Sequence, residues 1–198
     1  MILFGELSPG QAVTIQGFAD MLSVGMTPVR EAIRRLSAEG ALTFLGNRRV
    51  QVPQLTLSEL EEVAYVRLMV EPKMAALAAS RAVQADIDDL TRIDEALNAT
   101  ILRGDTRGYQ EHNYRFHKRL SEIADAPILL TMANTLWMRM GPSLRVVRGR
   151  NGTSNLPDMH QEAIAALAGH DQDAAASAIE RDIAQGIAQI REALLTGL

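Results

Sequence analysis

The chain has 198 residues with 47% hydrophobic and only 4% aromatic side chains, a composition that suits one large helical domain or a small domain followed by a medium one. It has no cysteine, which excludes disulfides, thiolate metal sites and cysteine nucleophiles. No apolar run approaches the roughly 20 residues a bilayer span needs, and the N-terminus lacks a signal-peptide pattern, so the expectation is a soluble, cytoplasmic protein with no membrane partner. The net charge of −4 argues against nucleic acid until its distribution is read: residues 1–53 carry five Arg against four acids, all five between Arg30 and Arg49, while residues 54–198 carry 15 basic against 20 acidic groups. Positive potential is thus concentrated in one stretch, as a docking face requires.

In chain order, Gln16 to Leu22 reads as a short helix with Phe18, Ala19 and Leu22 facing inward. Ser23 to Met26 is a turn, with Gly25 supplying its backbone angles. Thr27 as N-cap and Pro28 at the first helical position open a second helix, which Gly40 closes. Val29, Ala32, Ile33 and Leu36 form its inward face, and Arg30 and Arg34 lie four apart on the outer face with Arg35 beside them. A guanidinium fork pairs with the acceptor edge of guanine or grips a phosphate. Leu42 to Leu45, Gly46 to Arg49 and Val50 to Val52 read as a hairpin whose tip carries Arg48 and Arg49, the shape of a wing. Taken alone, residues 27–40 describe an amphipathic helix with solvated arginines equally well. The basic hairpin at this distance favours a winged helix-turn-helix in which Thr27, Arg30, Arg34, Arg35, Arg48 and Arg49 meet DNA.

Pro53 marks a linker, and nearly everything after it has helical periodicity. The expected helices run from Thr56 to Ala82 with a kink at Pro72, from Ala85 to Leu102, from Thr106 to Ala124, from Pro127 to a disturbance at Gly141-Pro142, from Pro157 to Leu167, and from Asp171 to Leu195. Six helices with short loops imply an antiparallel bundle. The expected fold is therefore mainly α, with a winged helix-turn-helix over residues 1–53 and an all-helical bundle over residues 54–198. Asn113 and His117 share a face of the third helix of this bundle, His160 lies in the first turn of the fifth, and Asp182 lies in the middle of the sixth. An amide, two imidazoles and a carboxylate would suit Zn²⁺, Ni²⁺ or Mn²⁺ if they converge; their spacing fits isolated, satisfied polar residues as well. His112 points away from His117 and His170 falls in a loop, so neither joins the set. No HExxH, nucleophile elbow or phosphate-binding glycine loop is present, and no enzymatic activity is expected.

Pro9-Gly10, Phe18-Ala19-Asp20-Met21-Leu22 and Thr27 through Leu36 resemble the DNA-binding domain of GntR-type repressors. The resemblance implies that Arg30, Arg34 and the wing tip contact operator DNA. Gly25-Met26 stands where that family has Ser-Arg, Arg49 where the wing usually has Gly, and only Met1 to Phe4 where it has a full first helix, which is expected to weaken the core of this domain. Arg67-Leu68-Met69-Val70-Glu71, Asn113-Tyr114-Arg115-Phe116-His117 and the stretch from His160 to Leu167 resemble the signature segments of the FCD domain of the FadR-type branch, with Val70 for Leu and Asn113 for Asp. Six helices fit the VanR-like subgroup. The resemblance implies a divalent metal held by Asn113, His117, His160 and Asp182, the last standing where the family has His, and a carboxylate effector that completes the coordination. Arg67 is the expected partner of that anion, because guanidinium matches carboxylate geometry; an i,i+4 pair with Glu71 fits it too. The implied protein is a homodimeric repressor that senses a small organic acid.

Overall fold

The computed structural model describes residues 2–4, 6–46, 49–146 and 158–196. The N-terminal part begins with a strand, β1 (Ala12–Thr14), followed by α1 (Ile15–Leu22) and α2 (Met26–Ala38). The hairpin strands β2 (Thr43–Gly46) and β3 (Arg49–Gln51) follow. The sheet order is β1-β3-β2, antiparallel throughout, with Val13 opposite Val50 and Phe44 opposite Val50 from the other side. Val50 is fully buried at the centre. The expected hairpin is present; β1 was not expected, because three residues carry no readable periodicity.

Thr14 starts α1 by accepting a hydrogen bond from the Gly17 amide at 2.9 Å. Several details at the turn and in α2 differ from expectation. Gly25, not Thr27, is the N-cap of α2, and it makes no side-chain cap bond. Pro28 is therefore the third helical residue, where its missing N–H still has no intrahelical acceptor. The left-handed backbone of the turn falls on Ser23 (φ 53°), not on Gly25 (φ −66°). Leu22 and Ala32 are exposed, leaving Ile15, Phe18, Ala19, Val29 and Ile33 to form the core with Leu7, Leu42, Val50 and Val52. Gly40 closes α2 as expected: at φ 77° its amide reaches the Ser37 carbonyl and the Ala41 amide reaches that of Leu36, the paired bonds of a Schellman motif.

The second part is all helix: α3 (Leu57–Arg81), α4 (Gln84–Arg103), α5 (Thr106–Ile123), α6 (Pro127–Met140), a 3-10 segment (Gly141–Val146), α7 (Met159–Ala168) and α8 (Gln172–Thr196). The six expected helices are all found. Thr56 and Glu59 form a reciprocal capping box at the start of α3, which runs through the buried Pro72 without ending. The expected position of Pro157 lies outside the described residues; Asp158 caps α7 instead, accepting from the Gln161 amide. The α3–α8 packing is the most extensive, with α4 on α5 and α7 on α8 completing the bundle. Its core is separate from that of the first part and includes Leu60, Met74, Leu90, Phe116, Leu120, Leu167, Ile179, Ile183 and Ile190.

Few contacts join the two parts. Arg107 pairs with Glu6 at 2.6 Å, the Arg139 Nε donates to the Glu39 carbonyl at 3.2 Å, and Phe4 meets Tyr114 edge-on at a ring distance of 5.8 Å. No described helix is long and apolar enough to cross a membrane.

Candidate nucleic-acid interface and metal centre

On α2, burial of Val29 and Ile33 fixes the rotation of the helix, so Thr27, Arg30 and Arg34 emerge together on the opposite, exposed side. Arg30 makes no hydrogen bond or ion pair among the described residues. Arg34 holds Glu31 at 2.8 Å on an open surface, a pair worth little and easily exchanged for a phosphate. Arg35 lies about 100° further round the helix from Arg34. It pairs with Glu39 at 2.9 Å and, with Ala32 and Leu36, faces a cleft of about 400 Å³ whose far wall is Tyr114, Asn134 and Met138. The expected arginine trio is therefore divided, with Arg35 turned toward the helical part. Arg49 is exposed on β3; Arg48 lies outside the described residues.

In the bundle, α5 supplies His117, α7 supplies His160 and α8 supplies Asp182. One donor atom from each lies within 4.8 Å of the other two. His117 Nε2 stands 3.0 Å from one Asp182 oxygen, and His160 Nε2 stands 3.6 Å from the other. Both imidazoles are buried, while the Asp182 side chain keeps 24% of its surface exposed, so the cluster opens on one side only. That opening is a cleft of about 50 Å³ lined by Arg67, Tyr109, Asn113, Trp137, Asp182 and the α8 residues Gln185, Gly186 and Gln189. Asn113, Arg67 and the three cluster residues are thus gathered at one place.

The far side of each ring is held by a second carboxylate, and neither of these was singled out in the sequence. His160 Nδ1 lies 3.1 Å from the buried Asp94 of α4, which also accepts from Asn98 and Gln161. His117 Nδ1 lies 3.3 Å from Glu71 of α3. Phe116 stacks flat on His160 at 3.8 Å, and Trp137 tilts against His117 at 5.2 Å. With Nδ1 turned to a carboxylate, each ring presents Nε2 to the centre, the arrangement by which carboxylates orient metal-binding histidines. His160 Nε2 is buried and has no hydrogen-bond partner, which is costly for a polar atom and is relieved by a cation. The residues present therefore fit a divalent ion.

Electrostatics point the same way. Burial alone would push the His117 imidazole down, but hydrogen bonds to Asp182 and Glu71 outweigh it and raise the pKa to about 9. Burial would raise Asp182, yet His160, His117 and Arg67 bring it down to about 2. Glu71 is likewise opposed by burial and brought to about 2 by Arg67 and His117. A proton on His117 thus takes the place of a cation at this centre. Arg67 is buried and multiply engaged: its Nε and one Nη clasp Glu71, the other Nη reaches Met140 Sδ at 3.3 Å, and its guanidinium lies 4.5 Å above the Trp137 ring. It makes the i,i+4 pair and also borders the cleft. His112 and His170 stay outside the cluster; His170 Nδ1 meets the Ala79 carbonyl at 2.8 Å.

A family model described as bacterial regulatory proteins, gntR family, matches residues 1–52, and the FCD domain model matches residues 62–185. The chain belongs to the GntR family of bacterial regulators. The HTH-type transcriptional regulator McbR of Escherichia coli K12 is 31% identical to this GntR-family chain over 140 residues, covering 71% of the chain and 63% of McbR, so the match spans less than two thirds of that relative. A probable D-xylose utilization operon transcriptional repressor of Paenarthrobacter nicotinovorans is 26% identical over 180 residues, covering 91% of the chain and 79% of the relative. Among solved structures, E. coli McbR/YncC superposes with a TM-score of 0.84 at 26% identity, covering 96% of this chain and 92% of that one. A regulator from Rhodococcus sp. RHA1, at 19% identity and a TM-score of 0.78 over 97% of this chain and 92% of that one, shares the fold. These proteins are described as transcriptional regulators, not enzymes.

Proposed function

We propose that this GntR-family chain is a repressor that binds operator DNA as a homodimer and responds to a small organic acid. Residues 1–53 would act as the DNA-binding domain and residues 54–198 as the sensing and dimerising domain; their separate hydrophobic cores support the division. Thr27, Arg30 and Arg34 enter the major groove, and the wing arginines Arg48 and Arg49 follow the backbone. Arg35 reaches DNA only by leaving Glu39. One recognition helix per chain reads one half-site, and two copies read a two-fold operator.

The observation that carries the sensing role is the convergence of His117, His160 and Asp182 donor atoms within 4.8 Å beneath a cleft that Arg67 and Asn113 also line. A divalent metal (Zn²⁺, Ni²⁺ or Mn²⁺) would be held by the two Nε2 atoms and Asp182, with Asn113 beside them. Bound there, the ion supplies Lewis acidity that attracts a carboxylate. Glu71 and Asp94 orient the imidazoles, Trp137 and Phe116 exclude water from their faces, and Arg67 adds positive charge at the rim. An acid acts as an inducer only if it binds the operator-competent and operator-incompetent states with different affinity.

The test is a gel shift on the DNA upstream of the chain's own gene, at low salt, with and without metal and acid. Arg30→Ala and Arg34→Ala together are expected to weaken operator binding at least tenfold. Retention of full affinity by the double variant would remove α2 from the interface. Elemental analysis of the purified full chain tests the metal independently.

A further inference from the structure

We infer that the sensed acid is a short, hydroxylated monocarboxylate; this rests on the metal-assisted sensing reading and narrows its ligand. Beyond the donor set, the polar side chains at the cleft are neutral. Asn113 projects from α5 and Gln185 and Gln189 from α8, with Tyr109 beside them. Amides and a phenol offer both donors and acceptors, the complement of a hydroxyl, which also does both. An aliphatic acid would leave these groups without water or partner, the circumstance in which a polar site rejects an analogue that lacks its hydroxyl.

Charge limits the ligand to one carboxylate. Asp182, Glu71 and Asp94 are balanced in formal charge by Arg67 and a divalent ion, so the centre is neutral once loaded. One carboxylate is tolerable beside the ion. A second would need another cation, and the only cationic side chain along the cleft, among the described residues, is Arg67, which is already clasped to Glu71.

Size limits it further. The cleft holds about 50 Å³, room for roughly three to five water-sized groups. Gly186 forms part of its wall, one helical turn after Asp182, and a Cβ placed on it would meet nothing within 4 Å. A glycine in the middle of a helix costs stability relative to alanine, and here it faces open space that a larger side chain would fill. The buried, unpartnered Nε2 of His160 lies at the inner end of the same site.

A matched series of three-carbon acids separates these contributions. The full chain is loaded with zinc and titrated calorimetrically with glycerate, propionate and malonate. Glycerate is expected to bind at least tenfold more tightly than propionate, and malonate no more tightly than propionate. Gln185→Leu with Gln189→Leu is expected to bring glycerate down to the level of propionate while zinc uptake is unchanged. Gly186→Leu, placed in open space on a helix, is expected to keep the thermal midpoint and zinc uptake and to abolish binding of all three acids. Propionate or malonate binding as tightly as glycerate overturns the ligand class, even if zinc binds. A chain that takes up no zinc overturns the metal reading itself, and this inference with it.

Discussion

At the residue scale, the decisive group is His117. Its raised pKa, about 9, means that the metal-free protein holds a proton where a cation would sit. Metal must displace that proton, so affinity is expected to rise by about tenfold per pH unit between roughly pH 6.5 and 8, read from titrations of Ni²⁺ into the metal-free chain. A flat profile would mean that His117 is not a ligand. Stability of the metal-free form has the opposite slope over this range. A raised histidine stabilises fully below its unfolded value of 6.5 and loses that contribution as pH climbs through 9. Asp182 and Glu71, both lowered to about 2, stabilise above their unfolded values of 3.8 and 4.5 and lose that contribution as pH falls toward 2. Urea midpoints measured in chelator are therefore expected to peak between about pH 4.5 and 6.5. Equal midpoints at pH 6 and pH 9.5 would contradict this account.

At the element scale, the end of α2 is held by a single backbone conformation. Gly40→Ala would place a side chain at φ 77° and push a Cβ to 2.5 Å from the Arg139 guanidinium. The backbone cost of a left-handed non-glycine residue is about 1–2 kcal/mol, and Arg139, a flexible chain end, would swing away and release Glu39. A fall of this size in unfolding free energy is expected; a change below about 0.3 kcal/mol would show that the turn is not constrained.

The elements themselves were largely legible in the sequence. Helical periodicity, Thr56, Gly104 and Gly169 placed the bundle helices within a few residues, and Pro127 opened α6 as expected. The turn before α2 was read less well, because Ser23 adopts the left-handed conformation that glycine was expected to supply, and Thr27 resembles a cap while already lying inside the helix. In the candidate site, a four-residue spacing and three short motifs brought out Asn113, His117, His160 and Asp182. Asp94 and Glu71 were not assigned to the imidazoles, since a carboxylate that supports a ring on another helix has no local pattern. Arg35 shows the same limit: adjacency to Arg34 in sequence suggested a shared face, but 100° of helical rotation sends it to a different neighbour.

At the scale of the whole molecule, an aromatic series joins the two parts. Phe4 meets Tyr114 at 5.8 Å, Tyr114 meets Trp137 at 5.5 Å, and Trp137 meets His117 at 5.2 Å. Ile2, two residues before Phe4, is in the core that packs under α2. Under the proposed function, a ligand that moves His117 bears on Trp137 first and on the N-terminal part through Tyr114. Tyr114→Leu is expected to leave metal affinity within about threefold while at least halving, on a logarithmic scale, the effect of acid on operator affinity. An undiminished response would assign the coupling to Arg139 and the linker instead. Energetic coupling of this kind spans about 1–3 kcal/mol in general, so the loss is measurable.

Pro72 gives α3 a further property. Proline has no amide hydrogen, so the Leu68 carbonyl one turn earlier lacks its helical donor, and this gap falls beside Glu71 and one turn from Arg67. The long helix that begins at the linker is thus two hydrogen-bonded rods spliced at the sensing centre. Its two halves can exchange their amide protons with solvent at different rates, and occupancy of the cluster would be recorded in the difference.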